Sequence, residues 1–322
     1  MPRILLVKTT SMGDIIHNMP IVTDILNRFP DAQIDWVVEE SFADIARLHP
    51  GVYSIIPVAM RRWKKNLFNR KTWQEFSAFR HRLKAQTYDA VLDTQGLLKS
   101  AIISRLARGT RHGQDKNTAR EGIAASLYHH AHHIPQRLHA VVRNRLLAAQ
   151  ALGYELPLSM PEYRLQAPDE ALPLDLPANY VVCVHGTSRE EKLWPVASWV
   201  ALGRHLTSQQ LPMLLPWSDA SEHERALSIA SQVSGAVVLP KMRLTQLATL
   251  LKGAHGVIGL DTGLMHMAVA LSVPTLGIYT DTELWRVGPF PSAKAKANAI
   301  GGKPGLPTVD EAIRAFTQLL EA

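Results

Sequence analysis

The chain has 322 residues, 46% hydrophobic and 20% charged, with a formal net charge of +7. That length favours two domains over one. No apolar run approaches the ~20 residues that span a bilayer. Its single cysteine, Cys183, excludes an internal disulfide and cysteine-based zinc sites. Set in Tyr-Val-Val-Cys-Val, it reads as a core residue. The first apolar segment starts near residue 3, with no signal peptide ahead of it, so the cytoplasm is the expected compartment. The positive charge points to an anionic partner: nucleic acid, an acidic membrane surface, or a phosphorylated or carboxylated substrate.

Residues 4–7 are apolar without alternation, which predicts a short strand buried on both faces. A polar turn follows, and Ile15, Ile16, Met19 and Val22 then return at helical spacing. This arrangement places Ser11, Gly13 and Asp14 at the carboxyl edge of a sheet, where open α/β folds hold ligands. A helix cap accounts for Asp14 equally well. Further short strands are predicted at 34–38, 54–58 and 90–92. Asp93-Thr-Gln-Gly repeats the polar turn at a strand end, and 97–106 reads as a helix.

Residues 61–71 run Arg-Arg-Trp-Lys-Lys-Asn-Leu-Phe-Asn-Arg-Lys, six cations in eleven residues. Trp63, Leu67 and Phe68 are interleaved, and Trp73 and Phe76 follow. Such a segment suits an anionic glycolipid or acidic headgroups, and a solvated basic face is the plainer alternative. His129, His130, His132 and His133 match no common metal-ligand spacing and read as a surface segment.

Pro157, Pro161, Pro168, Pro173 and Pro177 crowd one stretch and mark a domain junction. The strand-then-helix pattern then restarts, with strands expected at 180–184, 213–215, 237–239, 256–259 and 274–279. Helices are expected at 196–206, after Glu222, and at 244–251, 264–271 and 309–320. Alternating strands and helices imply parallel sheets with right-handed crossovers, and two such sheets create a cleft between facing carboxyl edges.

Asp261-Thr-Gly-Leu-Met-His sits at an expected helix start. Such a start favours phosphate, and Gly263 lets the backbone approach closely. Asp and Thr are also ordinary N-cap residues, and a histidine at position 266 is also an ordinary core residue. Thr187, Ser188 and Lys192 supply hydroxyls and a cation at another strand end. A lysine there neutralises a diphosphate leaving group, or is simply solvated. Glu222 lies where a carboxylate accepts from ribose hydroxyls, or caps a helix. No G-x-G-x-x-G follows a strand and no P-loop motif occurs, which argues against dinucleotide oxidoreductases and P-loop NTPases.

In combination, the chain resembles the inverting glycosyltransferase family 9, the heptosyltransferases of lipopolysaccharide biosynthesis. The resemblance rests on Val-Lys-Thr-Thr-Ser-Met-Gly-Asp14, Asp-Trp-Val-Val-Glu-Glu40, Ala-x-Arg-Arg-Trp63 and Asp93-x-Gln-Gly-Leu-x-Lys-Ser100. Thr-Ala-Arg-Glu121, Leu-Pro-Trp217, Leu-Pro-Lys-Met242 and Asp-Thr-Gly-Leu-x-His266 extend it over essentially the whole chain.

The resemblance implies an α/β GT-B architecture, two Rossmann-like domains facing across a cleft. Residues 1–160 would bind the acceptor, 161–178 would form a linker, and 179–322 would bind the ADP-sugar, with the terminal helix packing back on the first domain. The implied reaction moves L-glycero-D-manno-heptose from ADP-heptose to the inner 3-deoxy-D-manno-octulosonic acid (Kdo) of Kdo2-lipid A. By similarity, Thr187, Ser188, Lys192, Glu222, Met242, Asp261, Thr262, Gly263 and His266 meet the donor. Ser11, Gly13, Arg61, Arg62, Lys64, Arg120, His139 and Arg143 meet the acceptor. Asp14 would be the general base, and Lys192 would stabilise the departing ADP.

No metal and no cofactor are expected, and the chain lacks an Asp-x-Asp motif. The expected location is the cytoplasmic face of the inner membrane, against its acidic surface. The chain departs from its relatives at Ser188, where they carry Thr, at Lys64, where they carry Arg, and at Thr280-Asp281, where many carry Gly-Pro. The alternatives are a later heptosyltransferase of the same pathway, a nucleotide-sugar 2-epimerase, and a nucleic-acid-binding protein. The last needs a helix-turn-helix or an RNA-binding sheet, and the sequence shows neither.

Overall fold

The computed structural model describes residues 1–302 and 305–321. The chain divides into two units, residues 1–159 and 160–322.

The first unit is built on six parallel strands: β1 (Arg3–Val7), β2 (Gln33–Glu39), β3 (Ser54–Val58), β4 (Thr87–Asp93), β5 (Arg108–Gln114) and β6 (His130–His132). Their order is β3-β2-β1-β4-β5-β6. Ile4, Leu5, Leu6 and Val7 are wholly buried, as a central strand covered on both faces requires. Chain direction across the sheet reverses between β1 and β4, so the loops after these two strands open onto the switch point.

The strands expected in this half are all present. β5 and β6 were not anticipated, because Arg108-Gly-Thr-Arg-His-Gly-Gln offers no apolar run. They join the sheet through backbone pairing and a stack of imidazoles. The His112 ring lies parallel to those of His130 and His132, and its Nδ1 is 3.0 Å from His132 Nε2. Burial, with the neighbouring histidines adding to it, pushes the His112 pKa down to about 4. The histidine-rich segment is thus an edge strand packed on β5.

One buried ion pair ties the helix Ala140–Leu152 to the helix Met19–Arg28. Arg145 donates from Nε to Asp24 Oδ2 (2.6 Å) and from Nη2 to Oδ1 (3.1 Å), and both side chains are 5% exposed. Asp24→Ala leaves a buried guanidinium without its counter-charge and is expected to destabilise the first unit by roughly 3–5 kcal/mol. The urea midpoint of that unit's unfolding measures the loss, and an unchanged midpoint would contradict it.

The second unit repeats the plan with β7 (Val181–Val184), β8 (Met213–Leu215), β9 (Val237–Val238), β10 (Gly256–Leu260), β11 (Thr275–Tyr279) and β12 (Ala297–Gly301). Their order is β12-β11-β10-β7-β8-β9, again all parallel. The switch point falls between β7 and β10. Cys183 is wholly buried in the core with Trp194, Trp199 and Phe316.

The proline-rich stretch forms no regular element, and from Met160 onward it belongs to the second unit. The Thr249 hydroxyl donates to the Pro168 carbonyl at 2.8 Å. The closing helix Val309–Glu321 packs on the helix Val196–Ser208, on β11 and on β12 of its own unit. Its Phe316 ring explains Gly256, where a Cβ would fall 2.6 Å from the ring edge.

Candidate active site

At the first switch point, Gln95 ties the two loops together. Its Oε1 accepts from the Thr9 N–H (2.7 Å) and hydroxyl (2.8 Å), and its Nε2 donates to Thr10 Oγ1 (3.1 Å). Beneath it Asp93 is fully buried. Its Oδ1 accepts from the N–H groups of Gln95 (2.9 Å) and Gly96 (3.2 Å), and its Oδ2 accepts the Tyr128 hydroxyl (2.8 Å). Gly96 turns at φ +65°, a conformation that favours glycine. Lys8 is buried alongside and donates to the Thr94 carbonyl at 3.0 Å. Burial lowers its pKa, against the attraction of Asp14 and Asp93.

Asp14 lies in the first turn of the short helix Met12–Ile16. Its Oδ2 accepts from the Ser11 N–H (2.8 Å) and hydroxyl (3.1 Å), so the capping alternative is real. The cap uses only one oxygen. Oδ1 has no protein donor among the described residues, and Asp14 lines a cavity of about 940 Å3. Thr10, Ser11 and Gln95 share that wall with Asp14. The cations Arg61, Lys64, Lys99 and Arg120 surround the space, and Met60, Trp63, Phe76, Leu98 and Ile102 give it an apolar side.

Ser11, Arg61, Lys64 and Arg120 line this cavity together with Asp14. Four other expected acceptor residues do not line it. The Gly13 carbonyl accepts from His17 N inside the helix turn. Arg62 is held by Glu40 (3.0 Å) and Glu75 (2.7 Å). Arg143 donates to Gln114 Oε1 (3.0 Å) and to the Thr118 carbonyl (2.9 Å). His139 caps the helix Ala140–Leu152, its Nδ1 accepting from Val141 N at 3.2 Å.

Lys99, part of the Asp93-x-Gln-Gly-Leu-x-Lys-Ser100 match but not among the expected site residues, also lines the cavity. It stands in the first turn of the helix Leu98–Leu106, with Nζ 3.4 Å from Thr10 Oγ1. Burial lowers its pKa, and Lys64 adds to the effect. The strand-end rule that picked out Asp14 after β1 applies equally to Lys99 after β4.

At the second switch point, Asp261 directly follows β10, and Lys192 ends a single 3-10 turn, Glu190–Lys192, after β7. Lys192 Nζ donates to Asp261 Oδ2 at 2.6 Å. His266 Nε2 lies 3.7 Å from Oδ1. Burial pushes the Asp261 pKa up, but the His266 and Lys192 interactions outweigh it and hold the carboxyl well below the usual range.

Thr262 and Gly263 begin the helix Gly263–Ala270, yet the Thr262 side chain makes no cap hydrogen bond. Its hydroxyl oxygen is buried without a partner among the described residues, as is that of Thr187 after β7. Unpaired buried hydroxyls are costly unless a ligand completes them, so capping does not account for Thr262. Glu222 accepts from the Ser218 N–H and hydroxyl, both at 2.7 Å. Its carboxyl lies against Gly186, where a Cβ would come within 2.4 Å, and this brings Glu222 to the β7 loop. Ser188 is exposed, and Met242, after β9, is half-buried. The sequence reading also left out Thr282, whose hydroxyl donates to Asp261 Oδ2 at 2.9 Å.

Two doubly wound parallel sheets, each with polar residues gathered at its switch point, give the chain an α/β architecture of the GT-B type. The chain is similar to the Escherichia coli heptosyltransferase WaaC with ADP, at a TM-score of 0.89 and 38% identity over 99% of both chains. It matches the structure of that enzyme with ADP-2-deoxy-2-fluoro heptose at a TM-score of 0.85 and 38% identity, over 98% of this chain and 99% of the other. Lipopolysaccharide heptosyltransferase 1 of Escherichia coli K12 is 43% identical over 290 residues, 89% of this chain and 91% of that protein. The model for Glycosyltransferase family 9 (heptosyltransferase) matches residues 76–311, and the chain belongs to that family. Membership sets aside the epimerase and nucleic-acid-binding readings.

Proposed function

We propose that this heptosyltransferase moves L-glycero-D-manno-heptose from ADP-heptose to the inner Kdo of Kdo2-lipid A. The first unit's cavity carries the acceptor half of this reading. It sets a carboxylate with a free oxygen among four cations and an apolar wall. An acceptor bearing carboxylates, phosphates and acyl chains calls for that mixture. The relatives whose structures hold ADP and an ADP-heptose analogue support the donor half.

Of the switch-point carboxylates, Asp14 is the one suited to act as base, since Asp93 is fully buried with both oxygens engaged by Gln95, Gly96 and Tyr128. Asp261 is too acidic, and its oxygens are engaged by Lys192, Thr282 and His266. Asp14 Oδ1 takes the proton from a Kdo hydroxyl as that oxygen bonds to the anomeric carbon. The bond to ADP breaks from the opposite face and its electron pair leaves with the diphosphate, which inverts configuration. Lys192 and the N–H groups at Thr262 and Gly263 stabilise the departing charge. Thr187, Ser188, Glu222, Met242 and His266 complete the donor site. Lys192 and the helix start supply the neutralisation that a metal gives elsewhere, so we assign the step no metal or cofactor.

Mass spectrometry of Kdo2-lipid A incubated with ADP-heptose tests the assignment. One added heptose is expected, with lipid A lacking Kdo left unchanged. Extension of the Kdo-free lipid, or no product at all, would overturn it.

The same reading places the protein on the acidic cytoplasmic face of the inner membrane. No helix of the described residues is long and apolar enough to cross a membrane. The turn between the helices Met60–Lys65 and Arg70–Lys84 exposes Phe68 (104%) and Leu67 (53%) among the cations of 61–71, and the first turn of the second helix exposes Trp73 (58%) beside them. Aromatics beside lysines and arginines suit an anionic interface. Phe68→Ser combined with Trp73→Ser is expected to weaken binding to phosphatidylglycerol vesicles about tenfold or more. Co-sedimentation measures this, and equal binding by the variant would count against that docking surface.

A further inference from the structure

Asp261 follows β10, the strand that lies between β7 and β11 in the second sheet. Its carboxylate is therefore flanked by the loops that leave those two neighbours. From the β7 side comes Lys192 Nζ, at 2.6 Å from Oδ2. From the β11 side comes the Thr282 hydroxyl, at 2.9 Å from the same oxygen. The β11 loop then reaches past Asp261 to the β7 loop itself. The Thr280 hydroxyl donates to the Glu191 carbonyl at 3.0 Å. Asp281 Oδ2 lies 3.8 Å from Arg189 Nη2, and Arg189 also pairs with Glu191 at 3.1 Å.

We infer that residues 280–282 form a clasp that fixes the Lys192–Asp261 pair for the nucleotide diphosphate, with Thr282 as its positioning residue. The inference rests on the proposed donor site. Three contacts from three consecutive residues converge on the turn that carries Lys192 and on the carboxylate that holds it. The loop is itself anchored: Tyr279 is wholly buried at the end of β11, and its hydroxyl donates to the Val287 carbonyl beyond the loop at 3.2 Å. Lysine is a flexible point charge with three donors. One donor is committed to Asp261, and the others, without a protein partner among the described residues, can meet a diphosphate. Without Thr282, the carboxylate loses its second donor on Oδ2 and the lysine loses a fixed partner. The Thr280-Asp281 sequence, which departs from the expected Gly-Pro, thus takes a defined role in this chain.

Calorimetric titration with ADP, paired with steady-state kinetics, tests the clasp. Wild-type protein is expected to bind ADP. Thr282→Val is expected to bind it about tenfold more weakly, the loss typical of a hydrogen bond to a charged group. Thr282→Ser keeps the hydroxyl and is expected to stay within about threefold of wild type. The KM for the lipid acceptor should be the same in all three, a readout that general loosening of the protein would shift. Failure of the wild type to bind ADP would overturn the donor-site reading beneath the inference. Wild-type ADP binding matched by Thr282→Val, or equal losses in the Val and Ser variants, would overturn the clasp alone.

Discussion

Asp14→Asn is expected to keep ADP-heptose affinity and to lose turnover by roughly 10²–10⁴-fold, the usual contribution of a positioned general base. The structure makes this substitution a clean one. Asp14 Oδ2 accepts two hydrogen bonds from Ser11, and an asparagine carbonyl can accept both. The helix turn is therefore preserved while the proton acceptor is removed. Donor affinity belongs to the second unit in this account, so calorimetry with an ADP-heptose analogue should give wild-type values. Single-turnover transfer near the wild-type rate would eliminate Asp14 as base. Loss of analogue binding would show that Asp14 belongs to the donor site.

Lys192→Ala is expected to lower kcat/KM for ADP-heptose by roughly 10²–10³-fold, the scale of losing one preorganised group that stabilises developing charge. Two effects act in the same direction. The departing diphosphate loses its cation. Asp261 also loses its lysine counter-charge in a buried setting, with His266 and Thr282 the partners left to it among the described residues. An uncompensated carboxylate then stands where an anionic ligand must bind. Lys192→Arg restores the charge but carries it on a planar fork, so only partial recovery is expected. The KM for the acceptor should not change. Steady-state kinetics with each substrate varied in turn separates these quantities, and an unchanged rate at limiting ADP-heptose would refute the role.

Much of this was legible in the chain because a strand buried on both faces leaves an uninterrupted apolar run. Residues 4–7 and 181–184 announced themselves in that way, and the polar residues behind them fell at the carboxyl edges. β5, β6 and β12 did not. Their sequences are polar or glycine-rich and lie toward sheet edges, where backbone pairing rather than apolar burial holds them. Asp14, Lys192 and Asp261 were legible for the same reason as the strands they follow.

Side-chain partners were not legible. Arg61 and Arg62 are neighbours of the same type, yet Arg61 lines the cavity while Glu40 and Glu75 hold Arg62. That choice depends on residues from other elements. Thr282 meets Asp261 only because β10 pairs with β11, a relation that local pattern does not encode. Proline density located the irregular stretch but not its attachment, which comes through contacts such as Thr249 with the Pro168 carbonyl.

Under the proposed mechanism the acceptor, deprotonated by Asp14, displaces ADP from heptose in one step. The most direct measurement is ADP release from ADP-heptose with and without Kdo2-lipid A. Release that depends strictly on the acceptor, and that Asp14→Asn slows by roughly 10²–10⁴-fold, is the predicted result. Release at the same rate without acceptor, or no release under either condition, would contradict it.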